Sequence, residues 1–269
     1  MYADETSWSI NSVWAFLSDQ ARVLFFGVHK DANTLAAILN RETFSGVIVS
    51  DDAAVYQNFT KAQKCWAHLL RKAIKLTLIA PENTAYREFA DRLLALYRQA
   101  LKVKQDRRLS AAGRERKVTE LEDELIDLCP DSKRWWDETA ILEEAEDTCR
   151  LLANELMRLL LCKELFTFVT DADVDGTNNE SERTLRDSAQ ARKTGRTNKT
   201  VFGARRQTIV RSVLESLRTQ LPCYRLGTVL EEIRRWWQRG RSGFRELAER
   251  YGIGSSGTSV LDTVLPLPS

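Results

Sequence analysis

The stretch Thr170–Arg186 holds the residues whose types and spacing best suggest chemistry. It contains three aspartates (171, 173 and 175), a turn glycine at Gly176 and the opening of a helix. Thr177 and Glu180 stand at capping-box spacing, in which the threonine caps the helix and the glutamate reaches back to its start. That occupies Glu180 and leaves Glu182 as the first acid able to point elsewhere, followed by Arg183 and by Arg186 at ordinary i,i+4 pairing distance. Alone, this is a capped surface helix with ion pairs. With two more carboxylates from upstream it becomes a site for phosphoryl transfer. Such a set can hold two Mg²⁺ ions about 3.5–4 Å apart, which activate a hydroxyl and stabilise the leaving oxygen at a phosphodiester. Mg²⁺ is a hard cation that prefers oxygen ligands and keeps some waters for substrate.

Asp51 is the better placed upstream acid. Gly46–Ser50 is a short continuous apolar run, typical of a strand buried on both faces, and it ends in Asp51-Asp52. In open α/β sheets the carboxyl ends of such strands line the functional crevice. Asp4 and Glu5 stand at the start of the chain, and nothing local separates one from the other. Downstream, Ser188–Leu214 carries no acid but includes Arg192, Lys193, Arg196, Lys199, Arg205, Arg206 and Arg211. Beside the acidic stretch, that segment suits a nucleic-acid backbone, and its bland alternative is a solvated basic face. Cys65-x-x-His68 has half the spacing of a zinc site, but no second pair exists to complete four ligands. Arg71, six residues after Cys65, could meet a phosphate or pair with an acid.

The elements that must position these residues follow from periodicity. Trp8–Leu17 and Arg22–His29 read as strands, with Asp4 and Glu5 before them. A helix follows from Asp31 or Asn33 through Leu39, then the Gly46–Ser50 strand, a helical Ala53–Phe59, and a helix from Cys65 through Leu78. Residues 80–164 are helix-forming and highly charged, and Leu142, Ala145, Cys149, Leu152, Leu156 and Leu159 step by threes and fours, as in a helical insertion of about three helices. Leu165–Thr170 reads as a β-prone run, Ile209–Leu217 and Thr228–Gln238 as helices. From Gly252 the Gly/Ser-rich tail reads as disordered.

Totals narrow the class. A net charge of +2 means that a nucleic-acid role must rest on charge distribution rather than on its sum. Five cysteines at irregular spacing argue against a disulfide framework and for a reducing cytoplasm. No apolar run approaches a membrane span, and no signal-peptide pattern opens the chain.

Four stretches in order resemble the bacterial insertion-sequence transposases of the IS-sixty-six group. They are ADETSW (Ala3–Trp8), GVIVSDDAAVY (Gly46–Tyr56), CWAHLLRK (Cys65–Lys72) and DGTNNESERTLR (Asp175–Arg186), with Arg192-Lys193 after them. FGA (Phe202–Ala204) and SVLESLR (Ser212–Arg218) continue the likeness, which spans most of residues 3 to 220. The resemblance implies an α/β, ribonuclease H-like mixed sheet flanked by helices, with an all-helical insertion before the last catalytic helix and a helical C-terminus. It divides the chain into 1–79 and 165–195 as core, 80–164 as insertion, 196–251 as a basic helical region and 252–269 as tail. It implies a DDE site of Asp4, Asp51 and Glu182 that binds two Mg²⁺ or Mn²⁺ ions, hydrolyses DNA at transposon ends and joins the freed 3′-hydroxyl to a target strand. Glu180 is the fallback for the third acid. Arg192, Lys193, Arg196, Lys199, Arg205 and Arg206 would contact DNA. Cys65, His68, Arg71, Asn179, Arg183 and Arg186 would support the site. The expected partners are transposon-end and target DNA and further copies of the chain, with no membrane, in the bacterial cytoplasm at the nucleoid. Members of the group carry a long N-terminal region before the first aspartate, whereas only Met1-Tyr2-Ala3 precede Asp4 here. A shortened product is therefore expected, and two alternatives stand beside a full transposase: a non-catalytic remnant that only binds DNA, and a nuclease of the same fold.

Overall fold

The computed structural model describes residues 1–19, 21–40, 42–57, 59–129, 144–239 and 263–265. In chain order the strands are β1 (Tyr2–Ser7), β2 (Ser12–Leu17), β3 (Arg22–Val28), β4 (Ile48–Ser50) and β5 (Ala62–Lys64). The helices are α1 (Ala32–Ile38), α2 (Trp66–Ile79), α3 (Thr84–Gln105), α4 (Ala111–Leu128), α5 (Glu144–Leu161), α6 (Thr167–Thr170), α7 (Asn179–Lys193), α8 (Val201–Gln220) and α9 (Leu226–Arg239). This is the expected α/β class with a helical C-terminal part. The chain forms two compact units, one of Met1 with Ser45–Asn179, the other of Tyr2–Phe44 with Glu180–Ser269.

In the second unit β1, β2 and β3 form an antiparallel meander. Asp4 and Glu5 lie inside β1, Asp4 opposite Ala15, rather than before the first strand. The expected Trp8–Leu17 strand is split because Trp8–Asn11 is a turn, in which the Trp8 amide donates to the Asn11 carbonyl (2.9 Å) and Asn11 takes φ 56°. Asp31 caps α1 as expected, accepting from the Thr34 amide at 2.7 Å.

Helix α8 lies along β3 and covers its free edge by side-chain chemistry. The amides of Arg22, Leu24 and Phe26 donate to the hydroxyls of Ser216 (2.9 Å), Ser212 (2.9 Å) and Thr208 (3.0 Å). The same two serines donate back to the Arg22 and Leu24 carbonyls. The match is metric, since four helical residues rise about 6 Å and two strand residues about 6.6 Å. An exposed edge of unpaired backbone is thereby closed without another strand. Gly27, extra at the bulge between β2 and β3, has φ +79°, and a Cβ there would meet Ala204 Cβ of α8 at 3.0 Å.

In the first unit β4 and β5 pair in parallel, with Ser50 beside Lys64. The expected helix over Ala53–Phe59 is only a 3-10 turn at Ala54–Tyr56. Three helices, α3, α4 and α5, occupy the described part of the 80–164 region, and the stripe Ala145, Cys149, Leu152, Leu156, Leu159 is buried. Leu142 lies outside the described residues. The β-prone Leu165–Thr170 run is not a strand. Its backbone is taken up by side chains, with Gln63 Nε2 and Trp66 Nε1 donating to the Leu165 carbonyl (3.0 and 2.7 Å) and the Phe168 amide donating to Gln63 Oε1 (3.0 Å). The segment turns into α6 and sends Phe168 against Tyr97.

Most of the tail expected to be disordered lies outside the described residues. Thr263–Leu265 departs from that expectation: Leu265 is buried, and its carbonyl accepts from Arg205 Nη1 at 2.6 Å.

Candidate active site

Asp51 and Cys65 directly follow the paired ends of β4 and β5. The Cys65 amide donates to the Ser50 carbonyl (2.9 Å), so the two strand ends are held side by side. Asp51 is half-buried, and its Oδ1 accepts from the Ala53 amide at 3.1 Å. Beneath it lies Lys64, 1 % exposed, whose Nζ reaches the Asp51 carbonyl (3.3 Å) and Ser50 Oγ (3.4 Å). Burial lowers the Lys64 pKa against the opposing pull of Glu164, Asp52 and Asp51. Asp52 pairs through Oδ2 with Arg158 of α5, while its Oδ1 is buried without a donor among the described residues. Lys72 Nζ donates to both oxygens of Glu155 at 2.6 Å. Burial raises the Glu155 pKa, Lys72 opposes the shift, and the nearby Asp52 charge adds to it. Asp51, Asp52, Lys64, His68, Lys72 and Glu155 line a cleft of about 250 Å³.

The donors on this cleft fit a hard divalent cation. Asp51 keeps Oδ2 outside its turn hydrogen bond, and the next residue's Asp52 Oδ1 is a buried acceptor without a donor among the described residues.

The Cys65-x-x-His68 motif has a visible structural task. Cys65 caps α2 and its Sγ accepts from the Asn178 amide (3.1 Å), while the Trp66 amide donates to the Gly176 carbonyl (2.9 Å). Trp66 stacks on Tyr97 with centroids 5.3 Å apart. A Cβ at Gly176 would sit 3.1 Å from Tyr97 and 3.3 Å from Phe168, so only glycine passes this aromatic wall without displacement. Lys104 of α3 holds the same turn by donating to the Val174 carbonyl and pairing with Asp175 at 3.5 Å. Arg71 is exposed on α2.

Asp4 and Glu182 belong to the second unit, and Asp51 to the first. On β1 neighbouring side chains point to opposite faces. The Glu5 side chain is 3 % exposed and pairs with Lys30, and Asp4 Oδ1 accepts from the Glu5 amide (3.0 Å). Glu180 is occupied, as expected, but by an ion pair with Arg22 rather than by a capping box. Glu182 is half-buried in the first turn of α7, where Asn179, Arg183 and Arg186 are exposed.

Among the basic residues, Arg192 Nη1 donates to the Ser7 carbonyl (3.1 Å) and hydroxyl, Arg205 to Leu265, and the Arg206 guanidinium sits 5.9 Å from the Phe202 ring centroid. Lys193, Arg196 and Lys199 are exposed and have no ion pair among the described residues. Sequence reasoning misses Lys64, Glu155 and Arg158. The burial of Lys64 is not readable from a three-residue strand, and the partners of Glu155 and Arg158 lie 83 and 106 residues away in sequence.

The family described as Transposase IS66 family matches residues 1–206, and the chain belongs to that family. No curated protein matches the chain, and no solved structure does. Family membership supports a transposase role for the chain. Among the described residues no helix is long and apolar enough to cross a membrane.

Proposed function

We propose that this chain is the catalytic part of a DDE transposase with a ribonuclease H-like core into which the 80–164 helices are inserted. Asp4, Asp51 and Glu182 would hold Mg²⁺ or Mn²⁺. The observation that carries the reading is Asp51, an acid at the end of a buried parallel strand, on a cleft that Asp52 and Glu155 also line. When bound, a pair of such ions supplies activation of the attacking oxygen and charge stabilisation on the leaving one. The chain's own residues do the rest. Lys193, Arg196 and Lys199 hold the DNA backbone, and the Cys65–Trp66 corner fixes the turn that leads into α7. Transposon-end and target DNA are the substrates, joined by a second copy of the chain, in the bacterial cytoplasm.

The test is cleavage of a labelled duplex by the purified protein with Mn²⁺ or Mg²⁺, against EDTA and beside Asp51→Asn. The expected result is metal-dependent cutting that the substitution abolishes while DNA affinity is retained. An Asp51→Asn protein that cuts at the parental rate would overturn the site. Salt-sensitive binding without any cutting by the parent would leave a DNA-binding remnant.

A further inference from the structure

Arg158 has no part in the reading above, yet it reaches Asp52 across 106 residues of sequence. It does so from a helix that is itself tied down. Glu155, one turn earlier on α5, binds Lys72 of α2 through both oxygens, and α2 follows its N-cap Cys65, which directly follows β5. β5 in turn pairs with β4, whose end leads into Asp51 and Asp52. The polar contacts therefore close a ring: β4, Asp51–Asp52, Arg158, Glu155, Lys72, α2, β5 and back to β4. Among the described residues, the Asp51 carboxylate is otherwise oriented by its hydrogen bond to the Ala53 amide. Without Arg158, Asp52 would face the Glu155 carboxylate, a like charge in a half-buried setting, and would turn away and take the Asp51–Ala53 turn with it.

We propose that Arg158 is a positioning residue of the active site: by holding Asp52 it fixes the turn that aims the Asp51 carboxylate into the cleft. The helical region would then be part of the catalytic machinery rather than an appended module. The role assigned to Asp51 above is assumed.

The experiment compares the full chain with its Arg158→Ala, Arg158→Lys and Asp52→Asn variants by hydrogen–deuterium exchange and by metal-dependent DNA cleavage. Losing a charge-assisted bond should speed exchange in the 51–57 turn about tenfold or more in Arg158→Ala. The protection of α3 and α4 should stay unchanged. Misaiming one carboxylate should lower kcat on the order of a hundredfold, with KM for DNA unchanged. Arg158→Lys should recover part of kcat, since lysine keeps the charge but not the planar fork. Combining Asp52→Asn with Arg158→Ala should restore part of the turn's protection, since the neutral amide has no like charge to meet at Glu155. Unchanged exchange in the turn, or a kcat loss that tracks lost protection throughout α3–α5, would overturn the proposal. A parent that does not cut would sink the proposed function instead, while the exchange data would still decide whether Arg158 holds the turn.

Discussion

Lys64 is a lysine with 1 % of its surface exposed, directly under the loop that carries Asp51. Its two hydrogen bonds are long, 3.3 and 3.4 Å, and no carboxylate lies within ion-pair distance among the described residues. A buried charge with such partial compensation costs stability, and an apolar side chain of similar volume often improves on it by roughly 1 kcal/mol or more. Lys64→Met is therefore expected to unfold at higher urea concentration than the parent at neutral pH. The pH dependence has a definite sign. A lysine whose pKa is lowered in the fold binds fewer protons there than in the unfolded chain. Its cost is fully present below the folded pKa and fades as pH approaches the unfolded value near 10.4. The advantage of Lys64→Met should thus shrink in alkaline solution, and urea melts across that range would show it. A variant less stable than the parent at every pH would mean that the lysine's hydrogen bonds outweigh its desolvation.

At the scale of elements, the contact between α8 and β3 is specified by Thr208, Ser212 and Ser216, three small hydroxyls at four-residue spacing. Ser212→Ala with Ser216→Ala would strip two β3 amides of their partners. Each such buried donor costs about 1–3 kcal/mol. Urea melts should show a midpoint lower by that order, and light scattering should report association through the uncovered edge. A double variant as stable and as monodisperse as the parent would show that water replaces the hydroxyls. The legibility of elements divides along the same physical line. The helices from 84 to 161 and the Asp31 cap are readable because apolar period and cap chemistry are local. β5 is not, because two of its three residues are polar and only the fold buries them. Leu165–Thr170 has strand composition, yet Gln63 and Trp66, about 100 residues earlier, claim its backbone groups. Asp51 is legible because its strand announces it. Asp4 is not told from Glu5 by sequence, because both stand in one short run and only the strand places them on opposite faces.

Over the whole molecule, chemistry is set by which groups the fold leaves available. None of the five cysteines is in a disulfide, only Cys162 and Cys223 are exposed, and burial pushes the thiols of Cys129 and Cys149 up to about 12 and about 11. In native protein those two exposed thiols should react rapidly with Ellman's reagent at mildly alkaline pH, and the other three only on denaturation. Fast reaction of a third thiol would show that one buried site opens. The cations divide in the same way. With a net charge of +2, DNA affinity must come from local charge, and the basic segment is not uniform in what it offers. Arg192 and Arg205 spend their donors on Ser7 and Leu265, whereas Lys193, Arg196 and Lys199 stand exposed without ion pairs among the described residues. Each phosphate neutralised contributes about 0.9 to the slope of log K against log salt. Replacing Lys193, Arg196 and Lys199 together by alanine should flatten that slope by about 2.7 on duplex DNA. Arg205→Ala should leave it where it was, because its guanidinium is already committed within the chain. Fluorescence anisotropy across a salt series measures both. If Arg205→Ala flattens the slope and the triple variant does not, the DNA track runs along α8 instead, and the contact between Arg205 and Leu265 gives way when DNA binds.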